Sequence, residues 1–371
     1  MRIMKESSAS DGILVNALQA SHNAAGVGRY ALEVARGLCR RREDVHVVTR
    51  TEMADAFDLS RERLSLANVG ESSWRRILFE QFSLPSLAEN CRLIHFPDSA
   101  SILRGGMPCL MTVHDLSFFT CEGTFTWSQT LWKKQAARLS ARHALRVICS
   151  SRHTATDVAS FLRVPEERIR VVYPGVTTHA GEAAPPGVSC PDEPFILAVG
   201  TLEPRKNFVR LMRSVARLHR QGPKLPLVIA GKPGWIYQDI LRAPRDLGIE
   251  DAVTFAGYCS DPQLKWLYQR ARMLAYVSLY EGFGFPPLEA MSYGLPVVAA
   301  NVSSMPEVCE EAAIYAAPES VVEITDAIRR LHSDESLRDH LVARGREQAA
   351  RFTWARTAED LSGVFDELEV P

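Results

Sequence analysis

Two glutamates with seven residues between them frame a glycine-loosened stretch of this chain, Tyr280-Glu281-Gly282-Phe283-Gly284-Phe285-Pro286-Pro287-Leu288-Glu289. Glu281 stands at the end of an apolar run and Glu289 in the first turn of an expected helix, so both carboxylates belong to one rim of a sheet. A carboxylate there can accept hydrogen bonds from neighbouring ring hydroxyls. The backbone N–H groups around Phe283 and Gly284, with Gly282 and Phe285 beside them, can donate at close range. Upstream, Gly200-Thr201-Leu202-Glu203-Pro204-Arg205-Lys206-Asn207 joins another apolar run to an amphipathic one. A strand-to-helix turn of this kind points N–H groups and the positive end of the helix dipole in one direction. Arg205 and Lys206 add a guanidinium fork and a point charge, which together suit a pyrophosphate. If a bond to that pyrophosphate breaks, negative charge grows on it, and the two cations hold the transition state more tightly than the ground state. The plain alternative is a solvated first turn, although cations there oppose the dipole unless an anion is present. For Glu289 the plain alternative is a dipole contact worth roughly 0.3–1 kcal/mol.

The first half carries weaker signals. Ser21–Tyr30 leads from an apolar run into a helix face of Ala31, Val34, Ala35 and Leu38. Its Gly26, Val27 and Gly28 form a loop whose N–H groups could face a phosphate or the polar head of a second substrate. Tight turns also carry glycine for packing alone. Thr112-Val113-His114-Asp115-Leu116 closes another apolar run, which places His114 at the lip of a sheet, either touching ligand or holding structure. Asp115 is expected to organise the following turn. Trp74–Phe82 mixes basic and aromatic residues; it reads as a half-buried helix, or as one lying against an anionic membrane or a lipid-linked acceptor. No Asp-x-Asp pair and no Cys/His cluster stands out, so no metal is expected.

These groups need a scaffold, and the spacing of apolar runs supplies one. Short segments rich in Val, Ile and Leu alternate with amphipathic stretches, the pattern of βαβ units and parallel sheets. Candidate strands are Ile13–Leu18, Val45–Val48, Leu93–Phe96, Cys109–Val113, Arg146–Cys149 and Ile169–Val172 in the first half. Phe195–Val199, Pro226–Ala230, Val253–Phe255, Met273–Val277 and Pro296–Ala300 follow in the second. The Pro- and Gly-rich stretch 179–193 reads as a linker, dividing the chain into domains 1–183 and 184–371. A net charge of −1 argues against nucleic acid as a partner. No apolar run approaches the ~20 residues of a spanning helix, and the first residues lack the apolar centre of a secretory signal. The eight scattered cysteines read as buried thiols of a cytosolic enzyme.

The segments together resemble the retaining GT-B glycosyltransferases of the large family that includes bacterial α-mannosyltransferases, sucrose-phosphate synthases and glycogen synthases. The likeness runs through Ala25–Tyr30, Phe79-Glu80-Gln81, Val113–Leu116, Tyr173–Val176, Gly200–Asn207, Phe255–Tyr258, Glu281–Glu289, Ser304–Val308 and Phe352–Trp354. It implies an α/β architecture of two Rossmann-like doubly wound domains facing across a cleft. The N-terminal domain would bind the acceptor and the C-terminal one the nucleotide-sugar donor. The last helix, about 352–371, would cross back to the N-terminal domain. By resemblance, Arg205 and Lys206 hold the diphosphate, Glu289 the ribose, and Glu281 with Gly282–Phe285 the transferred sugar. His114 touches that sugar near the reacting carbon, and Tyr258 lies near the base. Such enzymes transfer with retention, without metal or cofactor. They favour same-face attack rather than the paired carboxylates ~5 Å apart of retaining glycosidases.

Ala25-Gly26-Val27-Gly28 lacks the Lys-x-Gly-Gly of glycogen and starch synthases. The resemblance therefore narrows to the smaller bacterial transferases that build surface polysaccharides or glycolipids, with a glycan or lipid-linked glycan as acceptor. Val-His-Asp-Leu and Ser-x-x-Pro-Glu-Val resemble the mannosyltransferase branch, so GDP-mannose is the expected donor, with UDP-sugars and dTDP-rhamnose as alternatives. The expected place of work is the cytoplasm, at the inner face of the plasma membrane if Trp74–Phe82 contacts it. Rival classes are a nucleotide-sugar 2-epimerase, a phosphorylase and a non-catalytic binding subunit.

Overall fold

Strands buried on both faces read as unbroken apolar runs, and the runs of this chain become strands of that kind. The computed structural model describes residues 12–21, 26–70, 72–99, 107–121, 127–178, 181–192 and 194–368. Ala25 and the ends of the stretch 179–193 lie outside them. The described residues form two units.

The first unit holds β1 (Ile13–Asn16), β2 (Val45–Arg50), β3 (Leu64–Ala67), β4 (Leu93–Phe96), β5 (Cys109–Val113), β6 (Arg146–Cys149) and β7 (Ile169–Val171). They form one parallel sheet in the order β3-β2-β1-β4-β5-β6-β7. Val15 lies level with Val47 on one side and His95 on the other, which sets the central register. One face of the sheet is covered by the helix Val27–Arg41, which buries Tyr30, Ala31, Val34, Ala35 and Leu38. Phe79, Ala137 and Ala141 pack with Leu14, Ile94, Phe96 and Met111 in a second cluster.

The C-terminal helix Trp354–Asp366 belongs to this unit too. Thr353 caps it by accepting from Arg356 N at 3.2 Å. Its Leu361, Val364 and Phe365 join the cluster of Ile13, Val15 and Leu38. A Cβ on Gly37 would stand 2.8 Å from Ala358 Cβ, so only glycine lets the two helices approach this closely. Arg42 ion-pairs with Asp366, and Arg170 with Glu367 at 2.8 Å.

The second unit holds β8 (Ile196–Val199), β9 (Leu227–Ala230), β10 (Val253–Gly257), β11 (Met273–Tyr276), β12 (Val297–Ala300) and β13 (Ala313–Ala316). Their order is β10-β9-β8-β11-β12-β13, again parallel throughout, with Leu197 level with Val228 and Leu274. Both orders are those of doubly wound nucleotide-binding sheets, in which the strand order reverses beside the first strand. The first of these reversals lies between β1 and β4, the second between β8 and β11.

The expected boundary at 183 moves to Gly175–Val176. The Pro- and Gly-rich stretch is not a free linker. Ala184 N donates to Pro262 O at 3.1 Å and Lys265 Nζ to Gly181 O at 2.9 Å, which ties it to the helix Asp261–Arg270 of the second unit. Tyr173, by contrast, stays with the first unit: its carbonyl accepts from Thr357 Oγ1 at 2.9 Å, and its ring meets Phe352 edge-on at 5.7 Å. No helix among the described residues is long and apolar enough to cross a membrane.

Candidate functional site

At the reversal of the second sheet, the chain leaving β8 makes a short 3-10 turn, Pro204–Lys206, before the helix Phe208–Gln221. Asn207 joins them with φ 63°, a left-handed conformation that asparagine tolerates better than most residues. Arg205 and Lys206 therefore precede the helix rather than forming its solvated first turn. Both are half-buried, and both turn toward the chain leaving β11.

Three charged side chains meet there. Arg205 Nη1 donates to Glu281 Oε2 at 2.8 Å, and Lys206 Nζ donates to Glu281 Oε1 at 2.6 Å. Lys206 Nζ also donates to Tyr276 Oη at 2.9 Å and lies 5.0 Å from the centre of that ring. The Arg205 guanidinium is held from behind by Glu203 Oε1, which accepts from Nη2 at 2.6 Å and Nε at 3.0 Å. Nη1 reaches Tyr280 O as well, at 2.8 Å. Burial alone would raise the Glu281 acid, but Arg205 and Lys206 outweigh it and bring it down to about 2. Burial pulls the Lys206 ammonium below its ordinary value, against Glu281. With Glu203 and Glu281 opposing Arg205 and Lys206, the formal charges of the group sum to zero, and the cations are fixed before any ligand arrives.

Glu281 is anchored through its backbone as well. Its N–H donates to Ser303 Oγ at 3.0 Å, and its carbonyl accepts from Ser304 Oγ at 3.0 Å. Ser304 Oγ also reaches Phe283 O at 2.9 Å, and the Phe283 and Phe285 rings meet at 5.2 Å. Gly284 opens the helix Phe285–Ser292 with φ 96°, and a Cβ on it would strike Met305. Glycine is required there on both counts. Glu289 was expected in the first helical turn; the helix starts at Phe285, so Glu289 is its fifth residue and the first turn holds no acid. The dipole thus gives no reason for a carboxylate there. Tyr268 Oη donates to Glu289 Oε2 at 2.9 Å instead, and its ring stacks on Tyr293 at 5.6 Å.

The helices Phe208–Gln221 and Phe285–Ser292, which leave the two strands at the reversal, share one property. Neither has a side-chain cap and neither has an acid in its first turn. Their positive ends are unopposed by their own residues, an arrangement suited to an anion. Gly257, at the end of β10, has φ 68°, and Tyr258 after it is exposed.

Gly26, Val27, Gly28 and His114 lie in the first unit. Gly26 (φ 58°) begins the helix Val27–Arg41, again without a side-chain cap. One turn on, Tyr30 packs edge-on against the His114 ring at 4.5 Å, so the glycine turn and His114 share one end of the sheet. His114 Nε2 lies 2.8 Å from Pro97 O. A carbonyl only accepts, so Nε2 carries the proton and Nδ1 keeps its lone pair. Burial lowers the pKa of this imidazole, which favours the neutral form. Asp115 Oδ1 accepts from Ser117 N at 3.0 Å and from Ser117 Oγ at 2.8 Å, opening the turn after β5.

Sequence reasoning missed Tyr268, Tyr276, Ser303 and Ser304, and gave Glu203 no role. The tyrosines carry no signal, because at strand and helix spacing an aromatic reads as core. Glu203 had one: a carboxylate two residues before an arginine in a turn. Among the described residues no group of His, Cys, Asp and Glu is arranged as a metal centre.

Two parallel sheets of this strand order, each with its polar groups at the reversal, define a GT-B fold. Two family models match the chain: Glycosyltransferase Family 4 over residues 24–180 and Glycosyl transferases group 1 over residues 185–348. The O-antigen chain mannosyltransferase B of Escherichia coli is 30% identical over 363 residues, covering 89% of this chain and 92% of that one. The chain belongs to the group 1 glycosyltransferases of the GT-B type. Among solved structures, sucrose-phosphate synthase from Thermosynechococcus elongatus superposes with a TM-score of 0.74 at 21% identity, covering 96% of this chain and 99% of that one. Anabaena HepE, solved with UDP-glucose, gives a TM-score of 0.74 at 18% identity, covering 96% and 99%.

Proposed function

We propose that this glycosyltransferase moves a mannosyl group from GDP-mannose to a glycan or lipid-linked glycan acceptor, with retention and without a metal, in the synthesis of a surface polysaccharide or glycolipid. One observation carries the reading: Arg205, Lys206 and Glu281 converge where β8 and β11 diverge, beside two uncapped helix N-termini. A diphosphate is an anion that two uncapped helix N-termini and two cations can receive. The acceptor hydroxyl oxygen attacks the anomeric carbon on the face the diphosphate leaves. The bond from that carbon to the phosphate oxygen breaks, and the departing diphosphate takes the acceptor's proton. Arg205 and Lys206 neutralise the charge that develops on it, the part a metal ion plays in other transferases.

In this reading Glu281 and the Gly282–Phe285 backbone hold hydroxyls of the sugar. Glu289, kept in place by Tyr268, holds the ribose, and Tyr258 lies near the base. His114 offers Nδ1 to a sugar hydroxyl, and the Gly26–Gly28 turn belongs to the acceptor. The mannosyltransferase relative, alike over nearly its whole length, supports the choice of donor; the neighbour solved with UDP-glucose is alike in fold only.

Work at the inner face of the plasma membrane is supported by the helix Ser73–Phe82. It exposes Trp74 (72%), Leu78 (53%) and Phe82 (64%) at four-residue spacing, one apolar stripe. Melting the protein with GDP-mannose, UDP-glucose, UDP-galactose and dTDP-rhamnose tests the donor. Stabilisation by GDP-mannose and GDP above the others is expected, and a preference for a UDP- or dTDP-sugar overturns that choice. NMR of the product's anomeric proton tests retention. Flotation with anionic vesicles, lost in a Trp74→Ser/Leu78→Ser/Phe82→Ser variant, tests the membrane contact.

A further inference from the structure

The sheet of the first unit has its own reversal, and a polar group sits there that the transfer step does not use. Asn16 ends β1, and its side-chain amide donates to Glu80 Oε1 at 2.9 Å. Asn16 Oδ1 accepts from Leu18 N at 3.3 Å, which orients the amide with its nitrogen toward Glu80. Glu80 comes from the helix Ser73–Phe82 and is 3% exposed. Its second oxygen has no hydrogen bond among the described residues.

Around it stand the ends of two more strands. Asp98, two residues past β4, faces Arg76 of Glu80's own helix at 3.6 Å. Pro97, between β4 and Asp98, holds the His114 ring. The ends of β1, β4 and β5 thus present Asn16, Asp98 and His114 together, with Glu80 among them. A carboxylate this buried, with one neutral hydrogen bond, is an unfavourable arrangement for the fold alone. Burial and nearby Asp98, against the pull of Arg76, push its acid up to about 7. Glutamine in its place would keep the bond to Asn16 without the charge.

We propose that Glu80, oriented by Asn16, receives a hydroxyl of the acceptor pyranoside and so sets which face of that sugar is presented for transfer. The inference rests on the sugar-transfer reading above. A neutral polyol supplies O–H donors to the oxygen that Asn16 leaves unbonded. An anionic sugar would meet two carboxylates and be disfavoured. Glu80 binds and orients; it removes no proton, since the leaving diphosphate takes it.

The test uses the full chain saturated with GDP and methyl α-mannoside as probe, read by saturation-transfer NMR. Wild type is expected to bind the probe. Glu80→Gln should weaken it about tenfold or more, the change expected for one hydrogen bond to a charged group, while the thermal shift given by GDP stays unchanged. Glu80→Asp keeps the charge but shortens its reach, and it serves as the second variant if Glu80→Gln does not fold; it too should lose affinity for the probe. Wild-type affinity in a folded variant overturns the proposal, and so does the absence of probe binding to the GDP-loaded wild type. If GDP gives no shift in the wild type, the failure lies in the sugar-transfer reading instead.

Discussion

Lys206 shows how much of this site is settled before a ligand binds. It is an ammonium largely withdrawn from water, with one donor spent on Glu281 and one on Tyr276. In the proposed transfer, a diphosphate arriving at the uncapped helix ends meets a cation that needs little reorganisation. Lys206→Ala removes this charge while Arg205 still pairs with Glu281. The expected loss is in kcat, about 10²–10³-fold, with the affinity for free nucleotide changed much less. An unchanged kcat would end the proposed role.

Two carboxylates in the chain respond to acid in opposite senses. Glu281 is held at about 2 in the fold against an ordinary 4.5. Its contribution to stability is complete above 4.5 and is lost as pH falls toward 2. Glu80 is raised to about 7 from the same 4.5. The protonated fold is therefore favoured below 4.5, and that advantage disappears as pH rises through 7. Glu80→Gln should melt higher than wild type at pH 8 and close to it at pH 5. Melting curves across that range check the sign; equal melting temperatures at pH 8 would mean that the buried charge is already compensated.

At the scale of elements, the turns after β8 and β11 are fastened together by backbone and side-chain bonds. Asn207 Nδ2 donates to Val277 O at 2.9 Å and to Pro318 O at 2.6 Å, and Leu279 N donates to Arg205 O at 2.9 Å. One buried asparagine thus links the Arg205–Lys206 turn to the ends of β11 and β13. Asn207→Gly keeps the left-handed backbone but strands two carbonyls, a loss of about 1–3 kcal/mol. Asn207→Ala adds a backbone penalty of roughly 1–2 kcal/mol. Urea midpoints should fall in the order wild type, Gly, Ala; a Gly variant as stable as wild type would show that water replaces the side chain.

Much of this framework is legible in the sequence, for physical reasons. Central strands buried on both faces announce themselves as apolar runs, and charged residues clustered at their ends break the pattern. Arg205, Lys206 and Glu281 could be found for that reason. The strands that escaped, β3 and β13, lie at sheet edges. Leu64-Ser65-Leu66-Ala67 is only partly buried, and Ala313-Ile314-Tyr315-Ala316 has little β-branched content. Glu289 was misplaced by part of a turn because Gly284, not a proline, fixes where its helix begins. The Pro- and Gly-rich stretch misled for another reason: composition reports what a segment cannot pack by itself, not what it is fastened to.

For the whole molecule, the consequence is that, among the described residues, each unit has hydrophobic clusters of its own. The core of the second unit gathers Ile196, Leu211, Leu227, Leu274's neighbour Met273 and Ile328, while the first holds Phe365 from the far end of the sequence beside Ile13 and Val15. Destabilising the C-terminal helix should therefore weaken the unit built mostly from the N-terminal half. Phe365→Ala is expected to cost that unit about 3–5 kcal/mol. If the proposed donor site in the second unit takes GDP, GDP should stabilise that unit by about 2.7 kcal/mol at a hundred times its dissociation constant. In calorimetry the transition that GDP raises should not be the one that Phe365→Ala lowers, and the variant's affinity for GDP should match wild type. A single transition moved by both perturbations would mean that the two cores melt as one cooperative body.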